Sequence, residues 1–216
     1  MRILCVIPAL PADLNFRTVR SVLNQTVPVE TIVILPKKVL QGTVAEKVSI
    51  VLNECWSHVK IETFDYVLRI DGDVVLPTDF LEQNLKDQPD FVGDAGYAMV
   101  IKTSAFQQCM GTFHPESDDG YTRYKFMQEG YKVIAYRVAP ILLRRSGKPH
   151  GLKYFVERGV SMWKLGYEPF HVLGSFRWEP RNVFAVFGYF LSFLMRQKKF
   201  DVAEYVWHKQ VERLVK

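Results

Sequence analysis

Cysteine is scarce. Cys5, Cys55 and Cys109 are the three in 216 residues, far apart and with no C-x-x-C pair. Such a set argues against a disulfide framework and a structural zinc site, and a reducing, cytoplasmic compartment fits it best. No apolar run reaches the ~18 residues that a membrane-crossing helix needs. The N-terminus enters strand-like residues without a charged-then-apolar leader, so a signal peptide is not expected. Also missing are G-x-x-x-x-G-K, G-x-G-x-x-G, H-E-x-x-H and G-x-S-x-G. Their absence sets aside P-loop, dinucleotide-binding, zinc-peptidase and serine-hydrolase chemistry. No internal repeat, low-complexity tract or Gly/Ser-rich linker divides the chain.

What is present describes a folded domain. Apolar residues make up 48% and charged residues 24%, which excludes a disordered chain, and the length allows a substantial core plus a C-terminal appendage. Aromatics reach 13%, many of them in the last third. A net charge of +5 and a pI near 9.0 favour anionic partners: nucleotides, phosphates, acidic lipid headgroups or nucleic acid.

Ile3-Leu4-Cys5-Val6-Ile7, closed by Pro8, reads as a buried parallel-type strand. Phe16, Val19, Val22 and Leu23 then recur at helical spacing, with Asp13 or Asn15 as cap. A second strand covers residues 30–35, and Val44, Val48, Val51, Leu52 and Cys55 give a second helix one apolar face. A third strand follows over residues 65–70. This β-α-β-α-β order implies a parallel sheet with helices on its faces, whose ligands sit beyond the carboxyl ends of the strands. The third strand ends there in Asp71-Gly72-Asp73.

Two acceptor-only carboxylates one residue apart suit a hard cation, Mg²⁺ or Mn²⁺, that shares phosphate oxygens. Gly72 lets the backbone turn close to a ligand. Asp-Gly is equally ordinary turn chemistry, so position after a buried strand is what makes the pair a candidate. Pro8 and Ala9, and Pro36-Lys37-Lys38, reach the same edge from the first two strands. Further on, residues 97–101 read as a strand and residues 103–109 as a short helix. Ser117-Asp118-Asp119 opens another helix, with Ser117 as its cap, and residues 131–136 read as a strand. A carboxylate at that helix start could take a proton from a hydroxyl nucleophile. His150 lies in a basic loop with Arg144, Arg145 and Lys148, residues suited to phosphates, and imidazole suits Mn²⁺. A helix follows near residues 152–165. Residues 183–195 are almost wholly apolar and flanked by Arg177, Arg181, Arg196, Lys198 and Lys199, too short to span a bilayer and therefore a buried or an interfacial helix. A last helix carries Ala203, Trp207, Val211 and Leu214 on one face.

The order and spacing of these segments resemble the family 2 glycosyltransferases of the GT-A fold. Val6-Ile7-Pro8-Ala9, and Arg17 through Leu23-Asn24-Gln25-Thr26, look like that family's first strand and its L-x-Q-T helix end. Residues 66–81 look like the segment bearing its D-x-D, and residues 96–106 like the strand and helix on the acceptor side. Gly111-Thr112-Phe113, Asp118-Asp119 and Gly130-Tyr131-Lys132-Val133 resemble its G-x-F…E-D…G-Y-K-I stretch.

The resemblance implies an α/β, GT-A type fold: a Rossmann-like, mostly parallel central sheet with flanking helices, plus a C-terminal helical extension. The expected division is a transferase domain over 1–175 and helices over 176–216. The implied activity is that of a metal-dependent, inverting hexosyltransferase that uses a nucleotide-sugar donor and Mn²⁺ or Mg²⁺. Asp71 and Gly72, with Pro8 and Ala9, fall at donor positions, and Asp71, Asp73 and His150 at metal positions. Asp119 falls at the base position, with Asp118 in place of the family's glutamate. The acceptor is a glycan, a lipid-linked group or a protein. A membrane surface, as a peripheral protein on its cytoplasmic face, and a homodimer are further partners left open, and nucleic acid is not expected. Leu35-Pro36-Lys37-Lys38 stands where the family usually has D-D-G-S, so the carboxylate that usually meets the nucleotide base is missing. The alternatives are a nucleotidyltransferase and a non-catalytic relative acting as a binding module.

Overall fold

A computed structural model of the chain describes residues 1–9, 14–36, 42–94, 96–143, 151–177 and 179–215. The chain divides into two compact units, Met1–Ser146 and Gly147–Lys216.

The first unit is built on β1 (Ile3–Ala9), α1 (Phe16–Leu23), β2 (Thr31–Pro36), α2 (Val44–His58), β3 (Tyr66–Ile70) and β4 (Val74–Val75). There follow α3 (Phe80–Leu85), β5 (Phe91–Val92), β6 (Ala98–Lys102), α4 (Thr103–Cys109), α5 (Gly120–Gln128), β7 (Val133–Ile134) and β8 (Ile141–Leu142). Six strands form one sheet in the order β2-β1-β3-β6-β5-β7, and β4 pairs with β8 in a separate ribbon. β1 lies parallel to both β2 and β3, and β5 parallel to β7, while β6 runs antiparallel to β3 and β5. The sheet is thus mostly parallel with one reversed strand, as the resemblance implied.

Every residue of β1 and of β3 is buried, as strands covered on both faces require. Alternation sorts their side chains between two cores. Ile3, Cys5 and Ile7 join Leu68, Ile70, Val22, Phe80 and Leu81 on one face. Leu4 and Val6 join Val67, Val48, Leu52, Phe106, Phe113 and Phe126 on the other. The helix starts follow their sequence signals. Asn15 caps α1 by accepting from the Arg17 N–H at 2.9 Å, and Thr43 and Glu46 form a reciprocal capping box on α2. Asp13, the other candidate cap, lies outside the described residues.

Several expectations are revised. Pro8 and Ala9 belong to β1, not to a loop after it: the ladder with β2 runs to Ala9↔Pro36, while the ladder with β3 stops at Val6, so Pro8 falls near a strand end where proline is tolerated. The strand expected over 131–136 shortens to β7. Asp119, not Ser117, is the N-cap of α5. The short strands β4, β5 and β8 had no periodicity long enough to read.

The second unit contains α6 (Leu152–Lys164), α7 (Pro169–Gly174), α8 (Val183–Leu194) and α9 (Ala203–Val215). The division therefore falls after Ser146 rather than after residue 175. The reason is the contact between α6 and α8. A Cβ on Gly159 would run into the Ala185 carbonyl, and one on Gly188 into the Val156 carbonyl, so the two backbones approach as only glycines permit. Tyr189 Oη donates to the Tyr167 carbonyl at 2.6 Å and Trp163 Nε1 to the Gln197 carbonyl at 2.9 Å. Buried Glu168 caps α7 and its N–H donates to Gln210 Oε1 of α9 at 2.8 Å.

Candidate active site

The turn after β3 is held by its backbone. The Gly72 carbonyl accepts from the Asn15 N–H at 2.7 Å and from Thr18 Oγ1 at 2.9 Å, which ties the turn to the start of α1. The Asp71 N–H donates to the Tyr97 carbonyl at 2.8 Å, and the Leu143 N–H donates to the Asp73 carbonyl at 2.8 Å. The ladder partner of Ile70 is Ala98, so the end of β3 and the beginning of β6 share this edge. Three segments fix the turn's backbone, leaving its carboxylates to be placed by their side chains.

One of those placements is made by Arg69. This residue sits inside β3, opposite Val6, and is 4% exposed. Its Nη2 lies 3.2 Å from Asp71 Oδ1 and 3.1 Å from Asp118 Oδ2, and its Nη1 donates to the Gly96 carbonyl. One buried guanidinium therefore joins the acidic turn after β3, the turn before β6 and the residues leading into α5. Asp118 is itself buried. Its carboxyl is raised to about 7: burial pushes it up most, Arg69 pulls it down, and Asp119 and Asp71 push it up.

Asp119 stands differently. It is half-buried, and its Oδ1 accepts from the Gly120 N–H at 2.6 Å as the cap of α5. Its other oxygen lies against Gly96, where a Cβ would collide with it. The two neighbouring aspartates are thus distinct: one is enclosed with a counter-charge, while the other sits at a helix N-terminus with part of its surface in solvent. Tyr121 N–H donates to Ser117 Oγ at 3.3 Å, so Ser117 supports the same helix start from one turn earlier.

Of the residues singled out in sequence, Asp71, Asp118 and Asp119 are brought together around Arg69 and Gly96, and Gly72 and Asp73 complete the turn. Pro8 and Ala9 are buried at the end of β1, Ala9 within the core that includes Ile7, Ile70 and Val74. His150, Arg144, Arg145, Lys148, Lys37 and Lys38 lie outside the described residues. Arg69 and Gly96 were not singled out. The signal for the first was available: a lone arginine in an otherwise apolar, fully buried strand demands counter-charges.

The donor set fits a hard divalent cation. Asp71 and Asp73 supply carboxylate oxygens on a braced turn. Among the described residues no group of three or more His, Cys, Asp or Glu side chains is gathered for a metal. Two carboxylates with remaining positions for water and phosphate oxygens is the usual way Mg²⁺-type ions are held at phosphate sites.

No family model matches the sequence, and no curated protein matches it. Solved structures do match the fold. The mannosyltransferase PcManGT of Pyrobaculum calidifontis, in complex with GDP-Man and Mn²⁺, aligns over 99% of this chain and 80% of its own at 13% identity, with a TM-score of 0.59. A Drosophila β-1,4-galactosyltransferase 7 variant, in complex with manganese, UDP-Gal and xylobiose, aligns over 70% of this chain and 77% of its own at 12% identity, TM-score 0.53. A portion of S. aureus TarS in complex with UDP-GlcNAc aligns over 74% of this chain and 65% of its own at 10% identity, TM-score 0.51. At such identities the likeness is one of fold: the chain has the GT-A fold of these glycosyltransferases.

Proposed function

We propose that the chain is a glycosyltransferase that moves a hexose from a nucleotide-diphosphate sugar to an acceptor hydroxyl, with a divalent cation and with inversion. The observation that carries this reading is the meeting of Asp71 with the Asp118–Asp119 pair, through Arg69, at the carboxyl end of β3 in a GT-A fold. That edge is where open α/β sheets bind their ligands.

Asp71 and Asp73 would hold the cation, Mn²⁺ or Mg²⁺, which when bound offsets the negative charge that develops on a leaving diphosphate. Asp119 is the general base. Its carboxylate takes the proton of the acceptor hydroxyl as the acceptor oxygen forms its bond to the anomeric carbon. The bond from that carbon to the diphosphate oxygen breaks, and its electron pair leaves with the nucleoside diphosphate. Asp118 does not exchange protons with the acceptor, because it is buried; it holds Arg69, and Arg69 in turn holds Asp71. Gly96 leaves room for the Asp119 carboxylate beside the strand end.

The test is titration calorimetry with UDP and GDP, with and without Mn²⁺, combined with nucleoside-diphosphate release from a panel of UDP- and GDP-sugars. The wild type should bind one of the two diphosphates in a Mn²⁺-dependent way, and Asp73→Ala should lose that dependence. Asp119→Asn should keep binding and lose turnover by roughly 10²–10⁴-fold, the contribution of a general base. Near-normal release by Asp119→Asn removes it from the base position, and pyrophosphate rather than nucleoside diphosphate as the product identifies a nucleotidyltransferase.

A further inference from the structure

Helix α8 is apolar on both of its sides. Its buried stripe is Ala185, Gly188, Tyr189 and Ser192, which faces α6 with small residues at the close approach. Its exposed stripe is Val183, Phe187, Phe190, Leu191 and Leu194, at i, i+4, i+7, i+8 and i+11, continued by Met195. Phe187 is 59% and Leu194 74% exposed, so the largest apolar side chains of the helix face outward. A helix at an ordinary protein–water boundary shows the reverse, with polar residues on the stripe turned from the core. The neighbouring α7 adds Phe170, 72% exposed, and Leu173.

Charge bears on what could cover this stripe. Residues 147–216 contain twelve Lys and Arg against six Asp and Glu, whereas residues 1–146 contain sixteen against seventeen. The basicity of the chain therefore belongs wholly to the unit that carries the exposed apolar helix. Arg177 precedes α8, and Arg196 and Lys198 follow it, all exposed. Length excludes a crossing: the 12 residues of α8 extend about 18 Å against a hydrocarbon core of about 30 Å. No helix among the described residues is long and apolar enough to cross a membrane. An apolar stripe with basic ends and insufficient length fits the plane of a headgroup boundary. A second copy of the chain would bring one strongly basic unit against another.

We propose that the second unit is a membrane-docking module, which seats the Val183–Leu194 stripe in the interface of a bilayer containing anionic lipids while Arg177, Arg196 and Lys198 meet the headgroups. This holds whatever chemistry the first unit performs.

The test is cosedimentation of the full chain with phosphatidylcholine vesicles and with mixed phosphatidylcholine–phosphatidylglycerol vesicles, with sedimentation velocity run in parallel. The wild type should bind the anionic vesicles, bind the neutral ones far less, and be released in part by salt. Phe187→Ser/Leu194→Ser should lose at least tenfold in binding with an unchanged circular dichroism spectrum and melting temperature. Arg196→Glu/Lys198→Glu leaves the apolar stripe intact and should lose roughly fivefold or more per residue. A wild type that stays in the supernatant with anionic vesicles overturns the proposal. So does a dimer that the serine pair converts to monomer without any change in vesicle binding, since the stripe is then covered by a second copy.

Discussion

Arg69→Met removes the cation that three elements share while keeping most of its volume in the sheet. Asp118 would remain, 4% exposed, with Asp119 and Asp71 as neighbours of its own sign. In the wild type its carboxyl is carried on folding from an ordinary 3.8 to about 7, which costs the charged form about 4 kcal/mol. The sign follows from the direction. A folded-state value above the unfolded one stabilises the fold fully below about pH 4, and that contribution is lost as pH rises through about 7. Arg69 is the group that pulls the carboxyl down, so without it the carboxyl moves higher still and the loss continues above pH 7, where the wild type has levelled off. At pH 5 Asp118 is protonated in both proteins, and at pH 8 the variant stays protonated while the wild type has ionised, so the loss should be greater at pH 8 by up to about 1.4 kcal/mol, the free energy of one pH unit of titration. The Asp71 contact adds little, because that side chain is 31% exposed and screened. Urea unfolding of both proteins at pH 5 and pH 8 measures the difference directly. The lowered carboxyls of Glu30, Asp87 and Glu179 are common to both and cancel. An equal loss at the two pH values, or a greater loss at pH 5, would refute the assignment of Asp118 as the group that Arg69 compensates.

Two further substitutions address the close approaches. Gly96→Ala pushes a methyl into the Asp119 carboxylate and should cut transfer by more than tenfold while nucleoside-diphosphate binding stays within a factor of about three, since a misplaced base loses orientation rather than donor contacts; activity assays beside calorimetry read the split. Gly188→Ala forces α8 away from the Val156 carbonyl and should cost about 1–3 kcal/mol, seen as a lower urea midpoint for the unit that contains α6 and α8.

Most of the sheet was legible because its central strands are buried on both faces and are therefore written as continuous apolar runs. Ile3 to Ile7 and Tyr66 to Ile70 announce themselves, and Asn15, Thr43 and Glu46 mark helix starts by local chemistry alone. The two-residue strands β4, β5 and β8 carry no periodicity, and tertiary contacts make them: Leu143 donates to the Asp73 carbonyl, and Asn84 Nδ2 donates to the Val138 carbonyl at 2.9 Å. The acidic turn was legible because a D-x-D after a buried strand is a local pattern. Arg69 could be read as buried but not as shared, since its partners lie 49 and 2 positions away in sequence. The boundary between the units escaped for the same reason. Gly159 and Gly188 look like weak points in helices until the two backbones are seen to touch there.

The reversal of β6 has a consequence for how this fold could be altered. Because β6 runs against β3, its leading end stands where β1, β2 and β3 finish, and its trailing end passes straight into α4 at Thr103 with no loop between them. The working edge is therefore reached by chain that enters a strand as well as by chain that leaves one. The segment around Gly96 is anchored on both flanks by the ladder and by Asp94, whose Oδ1 pairs with Arg123 of α5 at 3.3 Å. Grafting a longer connection between Asp94 and Tyr97 would reshape that edge and act on the acidic turn as well, because the Tyr97 carbonyl holds the Asp71 N–H and the Gly96 carbonyl holds Arg69, and the opposite edge of the sheet offers no equivalent place to do so at β6.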